Sequence, residues 1–297
     1  MELLAAWPAL LFLACVLLGL IVGSFLNVVA YRLPIMMELD WRAQCDELAS
    51  QPFTPPPHAK NGKFNLMWPP SACPGCGRAI APHHNVPVLS YLFLRGRCPG
   101  CGTKISARYP VVEAAAGVLA LVVAIVFGAS WQTVAALGFT WTLLALTLID
   151  LDHKLLPDSL TLPLLWAGLL LAAFPVRGAP LFTDLFSSVL GAAAGYLSLW
   201  LVYHLFKLAT GKEGMGHGDF KLLGAIGAWT GWQMLPLVIL LSAGVGAVIG
   251  IAMIAFGGRS RNTQIPFGPY LAAAGWIALL WGEPLITLYE RTFFPAR

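Results

Sequence analysis

Charge is what this chain has least of. Asp, Glu, Lys and Arg make up 11% of its 297 residues, under half the ~25% of soluble domains. That scarcity excludes an ordinary soluble globule. Disorder is excluded too, because 58% of the residues are apolar and the mean hydropathy is +0.74. A net charge of +4 is too small for a nucleic-acid surface, so no nucleic-acid partner is expected. The N-terminus lacks the basic region and cleavage site of a signal peptide, with Glu2 its only early charge. No Rossmann-type glycine fingerprint occurs in the polar region.

What the chain has instead is long apolar runs. They cover roughly 9–30, 110–128, 132–150, 159–174, 184–208, 219–232, 235–256 and 267–282, the run at 219–232 being the shortest. A hydrocarbon core of about 30 Å takes roughly 20 apolar residues per helix. The expected fold is an all-α polytopic membrane protein of about eight transmembrane helices. Its organisation reads as a first transmembrane helix at 1–30, a polar loop domain at 31–108 and a membrane domain at 109–297. The polar loop holds nine of the 18 Lys and Arg residues, and Lys154, Lys207, Lys212, Lys221, Arg259 and Arg261 fall in loops on its side. The positive-inside rule therefore puts the large loop in the cytoplasm.

Four of the six cysteines form two copies of one pentapeptide, Cys73-Pro-Gly-Cys76-Gly and Cys98-Pro-Gly-Cys101-Gly. Two such knuckles at this distance make a tetrahedral zinc site, with Pro and Gly permitting each tight turn. Two disulfides are the alternative, which a reducing cytoplasm disfavours. Four thiolates leave no open coordination position, so the expected role is structural, folding a Pro-rich loop that has little core. The expected small domain between the first two helices is thus zinc-bound. Cys15 and Cys45 read as packing or surface thiols. His83 and His84 read as ordinary loop residues.

Carboxylates in or beside a membrane are costly and need a reason. Asp150 ends an apolar run, and Asp219 opens another after Gly216-His217-Gly218. By the deduced topology both lie at the cytoplasmic face. Two carboxyls from separate helices cannot easily both ionise; one keeps a proton while the other activates water, the pair that aspartic proteolysis uses. Gly-x-Gly-Asp alone is a weak signal, and the pair is the stronger one. Asp158 reads most simply as a helix N-cap. Asp152 reads as a partner of Lys154 or Lys221, and Glu113 as a partner of Arg108 or of a helix terminus. Ser24 and Asn27 share one face of the first run and suit interhelix hydrogen bonds. Pro266-Phe267-Gly268-Pro269 either starts the last span or interrupts a helix near the acids.

Several motifs together resemble the bacterial type IV prepilin leader peptidases, which are bifunctional peptidase/N-methyltransferases. They are GSFLNVVAYRLP at 23–34, the paired CPGC knuckles, SYL at 90–92 and RYPVVE at 108–113. IDLDHKLLPD at 149–158, KEGMGHGDFKLLGAIGAW at 212–229 and PFGPYL at 266–271 complete the set. The resemblance spans nearly the whole chain. It implies a GxGD-type aspartic peptidase of the bacterial inner membrane, with Asp150 and Asp219 as its catalytic acids. It also implies cleavage of the basic leader of type IV prepilins and type II secretion pseudopilins after Gly, on the cytoplasmic side. The new N-terminal residue, usually Phe, is then N-methylated from S-adenosylmethionine. The intact cysteines indicate the methyltransferase-bearing long form.

The residues leave the methyl-donor site open. Gly96, within Tyr91–Cys98, is a weak cofactor-binding candidate, with a plain turn as the alternative. Glu38, Asp40, Asp46 and Glu47 are further candidates, with a solvated face as theirs. Two other functions remain in view: a peptidase without significant methyl transfer, and a membrane transporter or assembly scaffold with a zinc-ribbon loop. Transporters often show repeated halves, and no repeat beyond the two pentapeptides is present.

Overall fold

The computed structural model describes residues 6–45, 64–176, 178–257 and 266–293. Eight long helices stand in order among them: α1 Pro8–Gln44, α2 Arg108–Phe127, α3 Trp131–His153 and α4 Asp158–Ala173, then α5 Leu185–Thr210, α6 His217–Thr230, α7 Leu235–Gly257 and α8 Gly268–Phe293. No strand forms among the described residues, only isolated bridges. The all-helical expectation holds.

Six helices are long and apolar enough to cross a membrane: α1, α2, α3, α5, α7 and α8. The other two expected spans are shorter. At 16 and 14 residues, α4 and α6 reach only about 24 and 21 Å at 1.5 Å per residue, short of the hydrocarbon core. For α6 the reason is enclosure. Every residue from Asp219 to Trp229 except Lys221 is buried. Its apolar run is that of a core helix rather than a lipid-facing one.

Contacts divide the chain into residues 1–133 and 134–297. In the first unit α1 lies along α2. A Cβ at Gly19 would stand 2.6 Å from the Ala116 carbonyl oxygen, and one at Gly23 2.7 Å from Glu113 Cα. Glycines four apart thus let two backbones touch, the small-residue solution where apolar burial drives no association. Asn27 Nδ2 bonds the Tyr109 carbonyl across this seam at 3.3 Å. Helix α1 continues well beyond residue 30, where the sequence ended the first span. Residues 31–44 hold only Pro34 as a breaker, and Arg42 pairs with Glu38 one turn earlier at 2.6 Å. Buried Arg32 donates to the carbonyls of Asn65 and Pro69 at 2.9 and 2.7 Å, tying the loop to this helix.

In the second unit α6 is packed by α4, α5 and α8. Gly191 of α5 and Gly227 of α6 meet backbone to backbone, and Gly195 lies against Leu223 and Gly224. Ser188 Oγ donates to the Ala228 carbonyl at 2.6 Å, and Trp229 Nε1 to the Leu164 carbonyl at 2.7 Å. Phe139, Leu146, Phe220, Leu223, Ile226 and Leu271 close the core around them.

A methyl group at Gly227 would run into the Gly191 backbone, which has no side chain to move aside. Overpacking of this kind costs about 1–3 kcal/mol. Gly227→Ala should therefore lower the thermal midpoint of the detergent-solubilised protein, while Gly138→Ala, which meets nothing within 4 Å, should leave it in place.

Candidate functional site

Asp150 lies in the last turn of α3 and Asp219 in the first turn of α6. Both are buried, at 5% and 6% exposure. Three local features assemble the pair. Helix α3 ends just past Asp150, where Lys154 turns with φ 55°. Gly216 is the N-cap of α6, and its carbonyl accepts the Asp219 N–H at 3.2 Å. Gly268, the first residue of α8, donates its N–H to Asp150 Oδ2 at 3.0 Å. An N–H at a helix start is otherwise unpaired, and here a buried carboxyl takes it.

Leu156 joins these parts. A Cβ at Gly218 would lie 2.7 Å from Leu156 Cβ, and one at Gly268 3.2 Å from Leu156 Cδ2. The glycine of Gly218-Asp219 thus makes room for this chain's own leucine. At Gly268 the added Cβ would stand 2.6 Å from Asp150 Oδ2. The Pro266–Pro269 motif therefore both starts the last helix and reaches an acid. Spacing left those two readings open, because a backbone amide leaves no signature in a sequence.

Asp158 sits in the first turn of α4 with Pro157 as the N-cap, and no side-chain cap forms there. Both its carboxylate oxygens instead take Lys221 Nζ at 2.7 Å, linking α4 to α6 two residues from Asp219. Asp152 is exposed. Glu113 is buried, and its Oε2 accepts the Val88 N–H at 2.7 Å, a partner outside the two the sequence weighed.

The four cysteines of the loop come together. Cys73, Cys76, Cys98 and Cys101 place their sulfurs within 4.8 Å of one another, with Cys73 and Cys101 at 3.7 Å. Sulfurs each about 2.3 Å from a central zinc stand roughly 3.8 Å apart, so this donor set fits such a metal. Short bridges, Ala72 to Ala79 and Arg97 to Lys104, close each knuckle. None of the cysteines forms a disulfide. Hydrogen bonds with the Thr103 side chain and backbone pull the Cys101 thiol down to about 6, while at Cys76 the lowering by the Arg78 backbone is outweighed by hydrogen bonding with the other cysteine sulfurs, which pushes that thiol up to about 11; a metal bound there would hold all four as thiolates.

Among the described methyl-donor candidates, Gly96 lies in the loop and Glu38 and Asp40 lie on α1. Gly96 has φ 64° and is covered by Tyr91, whose hydroxyl would lie 2.9 Å from an added Cβ. Its carbonyl accepts the Ile105 N–H at 2.8 Å. Glu38 is held by Arg42, and Asp40 is an exposed residue of α1. Asp46 and Glu47 lie outside the described residues.

Similarity to known proteins follows the same two-part division. Residues 17–127 match the bacterial peptidase A24 N-terminal domain, and residues 137–251 match the type IV leader peptidase family. A protein of Stutzerimonas stutzeri is 54% identical over 97% of this chain and 96% of its own length. One from Pseudomonas aeruginosa is 53% identical over 97% of both chains. The chain belongs to the type IV prepilin leader peptidase family. A further member from Burkholderia pseudomallei is 48% identical over 96% of this chain and 90% of its own. All three relatives are named prepilin leader peptidase/N-methyltransferase. No solved structure matches.

The cysteine cluster of this family member generates a direct expectation. Cys76→Ser should weaken metal affinity by more than the roughly 10–100-fold seen on losing outer-shell partners, so that purified protein carries less metal per chain than wild type by elemental analysis. The loop should become easier to proteolyse in step. Retention of the metal by Cys76→Ser would show that these sulfurs do not hold it.

Proposed function

We propose that this chain is a bifunctional prepilin leader peptidase and N-methyltransferase of the bacterial inner membrane. It cleaves after Gly at the end of a basic leader, in type IV prepilins and type II secretion pseudopilins. It then methylates the new N-terminal residue with S-adenosylmethionine. The observation that carries the peptidase reading is the convergence of two buried carboxyls from different helices: Gly268 holds Asp150, and Leu156 packs against both Gly268 and Gly218, the residue before Asp219. Membership of the family carries the methyl transfer.

In the hydrolytic step one carboxylate takes a proton from water as the oxygen attacks the Gly carbonyl carbon. The other, carrying the shared proton, donates to the developing oxyanion. The carboxyl that took the water proton then gives it to the amide nitrogen as the C–N bond breaks, and the other carboxyl recovers its own proton as the carbonyl re-forms. No covalent acyl-enzyme is needed. Gly268 fixes Asp150 through its amide, and Leu156 sets the spacing between Gly268 and the start of α6, which bears Asp219. Lys221 is held by Asp158, which keeps its ammonium on a partner other than Asp219.

Residues 109–297 are assigned the peptidase role, and residues 31–108 the zinc-binding, methyl-transfer-associated role. Cys73, Cys76, Cys98 and Cys101 would hold one zinc ion, which supplies a structural crosslink. The loop and both acids are assigned to the cytoplasmic side, where the distribution of Lys and Arg supports them. That is the side on which a basic leader stays. The lipid bilayer is the expected surrounding of the spans.

A mass assay tests the reading. Purified enzyme receives a prepilin peptide with a basic leader ending in Gly before Phe, plus S-adenosylmethionine. Wild type should remove the leader and add a single methyl mass. Asp150→Asn and Asp219→Asn should each lose cleavage by about 10²–10⁴-fold or more, the usual weight of acid–base groups. Gly268→Ala should lower kcat with less effect on KM, because it displaces Asp150 rather than the bound peptide. Full cleavage by either Asn variant would sink the assignment of the acids. Leader loss without the methyl mass would leave a peptidase alone.

A further inference from the structure

The region between α1 and α2 carries an apolar surface that neither the acids nor the cysteines use. A short helical turn, Leu89–Phe93, precedes the second knuckle. Its buried side is tied down. Ser90 is buried, its hydroxyl accepting the Val86 N–H at 2.9 Å and donating to the His83 carbonyl at 3.1 Å. The other side is bare. Leu89, Leu92 and Phe93 are 52%, 63% and 84% exposed. Large apolar side chains presented together to water are costly at roughly 25 cal/mol per Å² of apolar surface, so a surface of this kind needs a cover.

The depth of this turn is fixed. Val88, immediately before it, takes φ 59°, a conformation a β-branched residue rarely adopts. The Val88 N–H is held there by buried Glu113. Glu113 is the sixth residue of α2, whose 20 residues span about 30 Å. The contact therefore lies about 7–8 Å along a membrane-spanning helix from its start at Arg108. Leu89, Leu92 and Phe93 follow the anchored residue directly. Interfacial apolar groups sit about 5–10 Å into the boundary of headgroups and chains, which is the depth this anchor sets. Exposed Tyr109 and Val111 lie at the same end of α2.

Charge identifies what meets the surface. From 64 to 112 the chain holds Arg78, Arg95, Arg97, Lys104 and Arg108 and no Asp or Glu. Arg95 and Arg97 follow the apolar turn at once, and both are exposed. Basic residues beside exposed apolar ones at this depth complement anionic headgroups. The basic leader proposed as substrate would be repelled by the same charges.

We infer that Leu89, Leu92 and Phe93 form an interfacial anchor that inserts into the lipid leaflet, with Arg95 and Arg97 on the headgroups of anionic phospholipids. The side of the membrane rests on the cytoplasmic assignment above, whereas the insertion itself does not. The anchor holds the cysteine-bearing loop against the bilayer by a contact separate from its covalent links to α1 and α2.

The test places the photo-reactive residue p-benzoylphenylalanine at position 93 of the full-length, metal-loaded protein. The protein is reconstituted in nanodiscs of phosphatidylcholine with or without phosphatidylglycerol. Illumination should give adducts of phospholipid mass, with phosphatidylglycerol captured above its share of the mixture. The double variant Arg95→Gln/Arg97→Gln should lose that preference and keep its lipid adducts, metal content and peptide cleavage. Absence of lipid adducts would overturn the anchor. So would adducts formed instead with an added prepilin peptide or a second copy of the chain. Lipid adducts on an enzyme that cleaves no prepilin would leave the anchor standing and remove the peptidase reading.

Discussion

The contact between Gly191 and Gly227 is the constraint on which the rest of the second unit depends. Two helix backbones can approach this closely only where neither carries a side chain. The approach lets α5 cover α6, while α4 and α8 cover its other faces. With so little of its surface exposed, a 14-residue helix can sit inside the protein although it is too short to span a bilayer. The donors Ser188 and Trp229 take carbonyls near its C-terminal end and in α4. At the other end the first turn carries Asp219. A rigidly packed helix is what holds that carboxyl at a fixed place, since its own N-cap offers no side-chain bond.

A buried carboxyl in a largely apolar molecule needs partners or water. Asp150 has a backbone amide at the start of α8. Asp219 has its backbone N–H on the Gly216 carbonyl. The elements that meet here are far apart along the chain: the end of α3, the loop before α4, the start of α6 and the start of α8. Helix ends are suited to such a site. They offer free N–H groups, and they can stand near the edge of the hydrocarbon layer, where water is within reach.

The first unit works on a different economy. Among the described residues its polar stretch has few large buried side chains, so tethers hold it. Four cysteines converge at one point, Arg32 binds two carbonyls, and Glu113 binds Val88. Each of these joins a loop residue either to another loop residue or to a helix that crosses the bilayer. The consequence is a loop whose position is set by polar contacts and whose Leu89, Leu92 and Phe93 remain outward.

Some of this was legible before any coordinates. Scarce charge and long apolar runs specify a helical multi-pass chain, because a bilayer admits few other solutions. Repeated Cys-Pro-Gly-Cys specifies convergent sulfurs, because the turn geometry is local. Asp150 and Asp219 stood out because carboxyls are expensive where they lie. Other features depended on the tertiary structure. Apolar content cannot tell a core helix from a lipid-facing one, so α6 looked like a span. The Gly268 amide, the wedge of Leu156 and the Asp158–Lys221 pair join residues from 62 to 118 positions apart, and no local pattern records them. Glu113 looked like a partner for a charge, yet it holds an amide of a strained valine. Sequence specified which groups the membrane makes costly; packing alone decided which groups would meet them.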